Sequence, residues 1–296
     1  MTNRGPWLVL LTYLLFGILP VYWKLLVSVN AYFILCNRVL WSLVFALLLL
    51  AATHHLNRVV ESLKNKRLCL TLAASGALLV VNWGSYIVAV NTHHVIDASL
   101  AYYLNPIMSI FIGGLVFHET LTGLQKLSVA VAAAGVLYAV ISYHTIPWLA
   151  LIIGGSFAFY GAVKKTVSVD GMTSLSLETL FMLLPALGFM AWLLVTGQTA
   201  GEGMALTAQE WWLLPTTGIV TGLPMIIYSQ GIRTTGYSLS GILMYINPTM
   251  QLACGIFVFH ESFTRVYAVM FIFVWTAVAL YLLSSWLSAR TRHRRS

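Results

Sequence analysis

Ten stretches of the chain carry almost no charge and run for 18 to 24 residues each: 7–27, 31–52, 68–90, 95–117, 124–143, 146–163, 174–196, 212–232, 238–259 and 265–288. A hydrocarbon core ~30 Å thick is crossed by ~20 apolar residues in a helix rising 1.5 Å per residue. Within it every backbone N–H and C=O must be satisfied internally, which leaves helices and closed barrels. None of the ten runs shows the strict alternation of a barrel strand, so each is read as a helix. Of the 296 residues, 59% are apolar and 8% charged, against about 45–50% and 25% in a soluble domain. Too few polar side chains remain to cover a globule, which excludes disorder, a collagenous repeat and a conventional soluble enzyme. The expected fold class is an all-α membrane protein of ten transmembrane helices.

Most connections are a few residues long and fit antiparallel helix hairpins. Residues 53–67 form a longer basic connection, whereas 197–211 carry Glu202 and Glu210 without a lysine or arginine. Arg4 ahead of the first run resembles the start of a signal peptide. That run is longer than a signal-peptide core and lacks a small-x-small site before Lys24, so it is read as a retained helix. With the N-terminus in the cytoplasm, thirteen of the sixteen basic residues fall inside, Lys24 and Arg265 fall outside, and Arg38 lies within a span. Basic residues collect on the cytoplasmic side of membrane proteins. Both termini are therefore expected there, in the cytoplasmic (inner) membrane, and the +8 net charge reads as a topology signal rather than a nucleic-acid arm.

A duplication organises the whole. Residues 103–122 (YLNPIMSIFIGGLVFHETLT) and 245–264 (YINPTMQLACGIFVFHESFT) align without gaps at an offset of 142, with ten of twenty positions identical. A fainter echo at an offset of 141 matches Phe16, Pro20 and Lys24 with Phe157, Gly161 and Lys165. Residues 1–145 and 146–296 are thus expected to be two five-helix repeats. Five is odd, so the second enters the membrane inverted. Inverted repeats are characteristic of secondary transporters; duplication toward a larger static bundle is the alternative.

Polar groups at depth mark the candidate site. Asn105 lies ten residues into the fourth span, ~15 Å deep at 1.5 Å per residue, and Asn247 reaches a similar depth in the ninth. Pro106 and Pro248 lack the amide that would bond the carbonyls of Tyr102 and Met244. Each pair is read either as a kink whose asparagine ties helices together or as cavity lining. Asn82, Trp83, Tyr86, Tyr102, Tyr103 and Tyr245 join these asparagines as candidate substrate-binding residues, with core packing as the alternative for the aromatics. Lys24, Arg38 and Asp97 are expected to cluster near the outer surface. There Asp97 would neutralise Arg38 and the three would gate the mouth. Glu178, with Lys165 at its level, would gate the inner side. Charges inside spans are costly and mark functional sites by default.

Several signatures are absent from the sequence. His118-Glu119 and His260-Glu261 are followed by Thr122 and Thr264 where HExxH needs a second histidine. No GxSxG or phosphate-binding GxxxxGK[ST] occurs. Cys36, Cys69 and Cys254 are too scattered for a zinc site or disulfide framework. No catalytic residue, metal or cofactor is expected. Glu119 and Glu261 are read at the N-terminal ends of spans five and ten, where the helix dipole favours negative charge. His93 and His94 are read as solvated in a short outer loop.

The strings NRVLWS (37–42), NWGSYIVAVNTHHVIDASLAYYLNP (82–106) and LETLFMLLP (177–185) resemble the RarD group of EamA-type permeases in the drug/metabolite transporter superfamily, across essentially the whole chain. That resemblance implies ten helices in inverted repeats, the first four of each half around a central cavity and helices five and ten peripheral. It places Arg38, Asn82, Trp83, Asn91, Asp97, Ser99, Asn105 and Glu178 at family-motif positions. Asp97 departs from a glutamate in relatives, and Asn247 from a glycine. The group's name is tied to chloramphenicol sensitivity, and the superfamily moves amino acids, sugars and other metabolites. The expectation is a secondary transporter exporting a small polar or amphipathic metabolite by alternating access, with a solute and membrane lipid as partners. Proton coupling or facilitated diffusion, monomer or homodimer, all stay open. A lipid flippase and a non-transporting enzyme or assembly subunit are the rivals.

Overall fold

The computed structural model describes residues 4–91, 95–143, 148–201, 204–258 and 265–293, with side chains except at 87–91, 95–99, 143, 255, 267 and 289–293. The described chain is helical: α1 (Gly5–Trp23), a 3₁₀ turn (Lys24–Leu26), α2 (Ala31–Ala52), α3 (Asn57–Leu63), α4 (Lys66–Asn91), α5 (Val95–Val116), α6 (Gly123–Tyr143), α7 (Trp148–Thr166), α8 (Gly171–Val195), α9 (Ala208–Thr234), α10 (Tyr237–Leu243), α11 (Ile246–Phe257) and α12 (Arg265–His293). One isolated bridge, Val29 with Ala200, is the strand-like pairing among the described residues. Among the described residues, seven helices are long and apolar enough to cross a membrane by length and composition. Large apolar side chains face outward, Val195 at 88% and Leu184 at 80% exposure, as expected where the surrounding medium is lipid rather than water. Trp7, Trp148, Trp211 and Trp212 at helix ends are exposed as well, as expected of amphipathic rings, which favour a membrane–water interface.

Local chemistry sets the helix starts. The Asn30 side chain accepts from Tyr32 N at the head of α2. Asp170 accepts from Met172 N and Thr173 N at the head of α8. Thr207 and Glu210 form a reciprocal capping box on α9. Each satisfies amides that a helix leaves orphaned at its N-terminus.

The two Asn-Pro segments do not fold alike. Pro106 sits inside a continuous α5, whereas the stretch at 238–259 is broken into α10 and α11. There Tyr245 N bonds Ile242 O and Asn247 N bonds Met244 O, three residues back in each case. These tightened turns occupy the Met244 carbonyl that Pro248 leaves without its usual donor. The break accounts for the absence of a long helix at this position.

Helix pairings come in matched sets. α5 packs on α7 and α1 on α11; α4 packs on α7 and α1 on α9; α2 packs on α9 and α4 on α8. The pairs α2–α8, α5–α10 and α6–α12 are each other's counterparts within themselves. Small residues permit close crossings: a Cβ on Gly241 would stand 2.9 Å from the Pro106 carbonyl oxygen, and one on Gly76 2.7 Å from that of Glu178.

Connections gather at two ends. At one, Asn30 N bonds Thr199 O, Gly201 N bonds Ser28 O, and the Ser28 hydroxyl bonds Glu210. At the other, Arg58 pairs with Asp170 at 3.3 Å, and Lys165 approaches Glu119 at 3.8 Å. Partial burial works to raise the Asp170 carboxyl, yet hydrogen bonds from Thr173 and the charge of Arg58 outweigh it and hold the group below its ordinary range.

Candidate functional site

A cavity of about 380 Å³, within the size of small-molecule sites, is lined by residues of α1, α2, α4, α5, α7, α9 and the α10–α11 stretch. Helical periodicity builds its wall. Phe16, Leu19, Pro20 and Trp23 form one stripe along α1, and Ala31, Ile34, Leu35 and Arg38 form the equivalent stripe along α2. Both follow i, i+3, i+4, i+7, the spacing of a single helix face. α4 contributes Asn82, Trp83 and Tyr86, and α5 contributes Ala101, Tyr102 and Asn105. Ile153 and Phe157 come from α7, Met225 from α9, and Met244, Asn247 and Gln251 from the broken α10–α11 stretch. α6 and α12 pack on each other and, among the described residues, supply no lining residue, and neither does α8.

Arg38 is the one charged residue among the described lining residues. Its guanidinium carbon lies 3.9 Å from the Trp83 ring centroid and 5.0 Å from that of Trp23, cation–π distances. Nε donates to Thr221 Oγ1 at 3.1 Å. Among the described residues no carboxylate pairs with it.

The amides are held in place by neighbours. Asn82 Nδ2 donates to the Ile153 carbonyl at 2.6 Å and to Ser156 Oγ at 3.3 Å, tying α4 to α7. The Ser109 hydroxyl donates to Asn105 Oδ1 at 3.3 Å, and Gln251 Nε2 donates to Asn247 Oδ1 at 2.9 Å. These two bonds sit at equivalent positions, since Asn105 and Asn247 differ by 142, as do Ser109 and Gln251.

Of the candidate substrate-binding residues, Asn82, Trp83, Tyr86, Tyr102, Asn105 and Asn247 line the cavity. Tyr103 and Tyr245 do not. They are 3% and 1% exposed within a hydrophobic cluster, and the Tyr245 hydroxyl donates to the Tyr103 carbonyl at 3.4 Å. The two residues differ by 142 in number, so this bond joins equivalent positions of the duplicated segments. Tyr102 faces the cavity and Tyr103 does not because neighbours on a helix point about 100° apart.

The described charged candidates sit in different settings. Arg38 lines the cavity, whereas Lys24 is exposed in the 3₁₀ turn. The Asp97 side chain lies outside the described residues, as do those of Asn91 and Ser99, so the expected Arg38–Asp97 pairing is not described. His93, His94, His260 and Glu261 also fall outside. Glu178 is buried away from the cavity, and its partner is Lys164, not Lys165: Nζ to Oε1 is 3.0 Å, with side-chain exposures of 1% and 0%. The Ser75 hydroxyl donates to the same oxygen at 2.6 Å, and Lys164 also donates to Ser174 at 2.6 Å. Lys165 turns the other way and donates to the Thr235 carbonyl. Glu119 does cap a helix, but that helix is α10. Its carboxylate accepts from Tyr237 N at 2.5 Å and Ser238 N at 2.7 Å.

Sequence reasoning missed Phe16, Pro20, Trp23, Phe157 and Gln251. Two signals were available: Phe16 and Phe157 are the pair in the weak upstream echo, and Gln251 is a polar residue one turn beyond Asn247.

The comparisons agree with this architecture. The profile of the EamA-like transporter family matches residues 3–141. The uncharacterized transporter YojE of Bacillus subtilis (strain 168) is 37% identical over 99% of this chain and 98% of its own. Protein RarD of Streptomyces exfoliatus is 36% identical over 95% and 88%. The chloramphenicol-sensitive protein RarD of Pseudomonas aeruginosa is 27% identical over 100% and 98%. A solved crystal structure 15% identical in sequence superposes with a TM-score of 0.73 over 96% of this chain and 99% of that one, a likeness of fold alone. By identity over nearly the full length of these relatives, the chain belongs to the EamA-like transporter family and to its RarD group.

Proposed function

We propose that the protein is a secondary transporter that moves a small polar or amphipathic solute across the cytoplasmic membrane by alternating access, in the direction of export. Ten spans form two inverted halves, residues 1–145 and 146–296, with both termini in the cytoplasm. The span at 238–259 is discontinuous, as substrate-site helices of transporters often are. The observation that carries the reading is the two-sided lining of the cavity: Asn105 with Asn247, and Phe16 with Phe157, are equivalent residues of the two halves on one wall. The matched helix pairings support the same two-fold relation. Exchange between two states in which the halves swap roles would expose that wall to one side and then the other.

In this reading Lys24, Arg38 and Asp97 gate the outer mouth, and Glu178 with Lys164 secures the inner side. The test is uptake and counterflow in proteoliposomes against a panel of metabolites and chloramphenicol, with and without a pH gradient. Saturable counterflow of a panel member supports the proposal. Movement of a fluorescent lipid without any solute movement would instead make the protein a flippase. Dependence on the pH gradient would assign proton coupling; indifference to it would assign a facilitator.

A further inference from the structure

The cavity wall is unbalanced in charge and in hydrogen-bonding sense. Arg38 is the one cation among its described lining residues, and none of them is a carboxylate. A bare charge in a low-dielectric wall is expensive unless it is paired. The Trp23 and Trp83 faces compensate it in part, but they accept no hydrogen bond in the guanidinium plane. Thr221 takes Nε, and among the described residues no other acceptor meets the fork. The amides lean the same way. The oxygens of Asn105 and Asn247 already accept from Ser109 and Gln251, and among the described residues no acceptor meets the N–H groups of either side chain. Beside the polar groups of Asn82, Tyr86, Tyr102 and Gln251, the wall carries a flat apolar surface of Phe16, Phe157, Trp23 and Trp83, with Met225 and Met244.

We propose that the transported solute is a small organic monocarboxylate with a flat apolar body, its carboxylate held by the Arg38 guanidinium and its body against the aromatic wall. This rests on the transporter reading and narrows its substrate class. Geometry favours the assignment because a guanidinium offers parallel N–H groups to the two oxygens of a carboxylate, a match that a lysine does not reproduce. A zwitterion brings an ammonium for which no described lining residue supplies a counter-charge. A neutral amide of the same shape leaves Arg38 unpaired. Sites built to bond one group discriminate strongly against analogues that lack it. An anion also fits export, since an inside-negative potential drives it outward without a coupled ion.

The test uses the full-length protein in nanodiscs at pH 7.5 with radiolabelled phenylacetate, displaced in turn by unlabelled phenylacetate, phenylpyruvate, phenylacetamide and phenylalanine. The two carboxylates should compete on the order of ten- to hundredfold better than the amide and the amino acid, the worth of a charge-assisted hydrogen-bonded pair. Arg38→Gln should abolish that preference, and Arg38→Lys should weaken binding while keeping the preference for anions. Equal competition by phenylacetate and phenylacetamide, strongest competition by phenylalanine, or no phenylacetate binding would each overturn the proposal. The wild-type comparison needs no variant, so misfolding of an Arg38 substitution does not shield it. Counterflow in proteoliposomes separates the two claims. If neutral or zwitterionic solutes exchange and carboxylates do not, the transporter reading stands and this inference falls. Arg38-dependent carboxylate binding with no exchange of any solute would sink the transporter reading and leave the site.

Discussion

Neutralising one member of the Lys164–Glu178 pair should harm the fold far more than neutralising both. The two side chains are 1% and 0% exposed and 3.0 Å apart, so neither charge has water to fall back on. Removing one partner of such a pair costs about 3–5 kcal/mol, because the other stays charged and buried. Glu178→Gln removes the counter-charge of the Lys164 ammonium and leaves it neutral hydrogen-bond partners such as Ser174, and its cost should fall in that range. Lys164→Met leaves Glu178 with the Ser75 hydroxyl at 2.6 Å, and should cost nearer the lower end, about 3 kcal/mol. The pair is incompletely satisfied, since Glu178 Oε2 has no hydrogen-bond partner among the described residues. Replacing both residues at once therefore removes an expensive arrangement along with a favourable one, and should cost less than about 2 kcal/mol. The coupling energy, the difference between the summed singles and the double, is then at least about 4 kcal/mol. Equilibrium unfolding in mixed micelles of graded denaturing-detergent content gives all four values. Additive single effects, with a coupling below about 0.5 kcal/mol, would refute the burial of this pair and the packing of α4, α7 and α8 drawn from it.

Three further outcomes follow from the packing. Gly218→Ala drives a methyl into the Trp41 backbone and should cost about 1–3 kcal/mol in the same unfolding assay. Gly84→Ala meets nothing within 4 Å and should be neutral or stabilising by up to about 1 kcal/mol; equal penalties at the two positions would contradict the α2–α9 crossing. Glu119→Ala removes the carboxylate that bonds two α10 amides, so hydrogen exchange at 237–240 should accelerate. Unchanged exchange there would count against the cap. Asp170→Ala should cost about 1 kcal/mol as a lost helix cap. Because the folded-state carboxyl of Asp170 is depressed, its contribution is complete above the unfolded value of about 3.9 and is lost as pH falls through the lower folded one. Asp170→Asn should flatten that acid limb, and a limb of wild-type steepness would show that Asp170 does not contribute to it.

How far the sequence carries depends on contrast. Polar residues deep in apolar runs stand out, which is why Arg38, Asn82, Asn105 and Asn247 could be singled out and why all four line one cavity. Phe16, Trp23 and Phe157 could not, because an aromatic facing a cavity and one facing lipid look the same along a span that is apolar all round. Neighbouring residues were the second blind spot. Whether Lys164 or Lys165 meets Glu178 is a matter of about 100° of helix rotation, which packing decides and composition does not. The third was context. Asn105-Pro106 and Asn247-Pro248 are the same dipeptide in duplicated surroundings, yet one lies in a continuous helix and the other follows a break at Met244–Tyr245. Helix caps at Asn30, Asp170 and Thr207 use ordinary capping residue types, so the helix starts were legible in principle.

The central claim is that one wall, carrying equivalent residues of both halves, is open to one side of the membrane at a time. Gln251→Cys, in a chain whose Cys36, Cys69 and Cys254 are replaced by alanine, puts a single thiol on that wall. Labelling with a membrane-impermeant maleimide is then measured in right-side-out and inside-out vesicles, with and without a transported solute. The account predicts a dominant side of labelling in the absence of solute and a shift toward the opposite side when solute is added. Equal labelling from both sides that no solute alters, or protection from both sides under every condition, would contradict it.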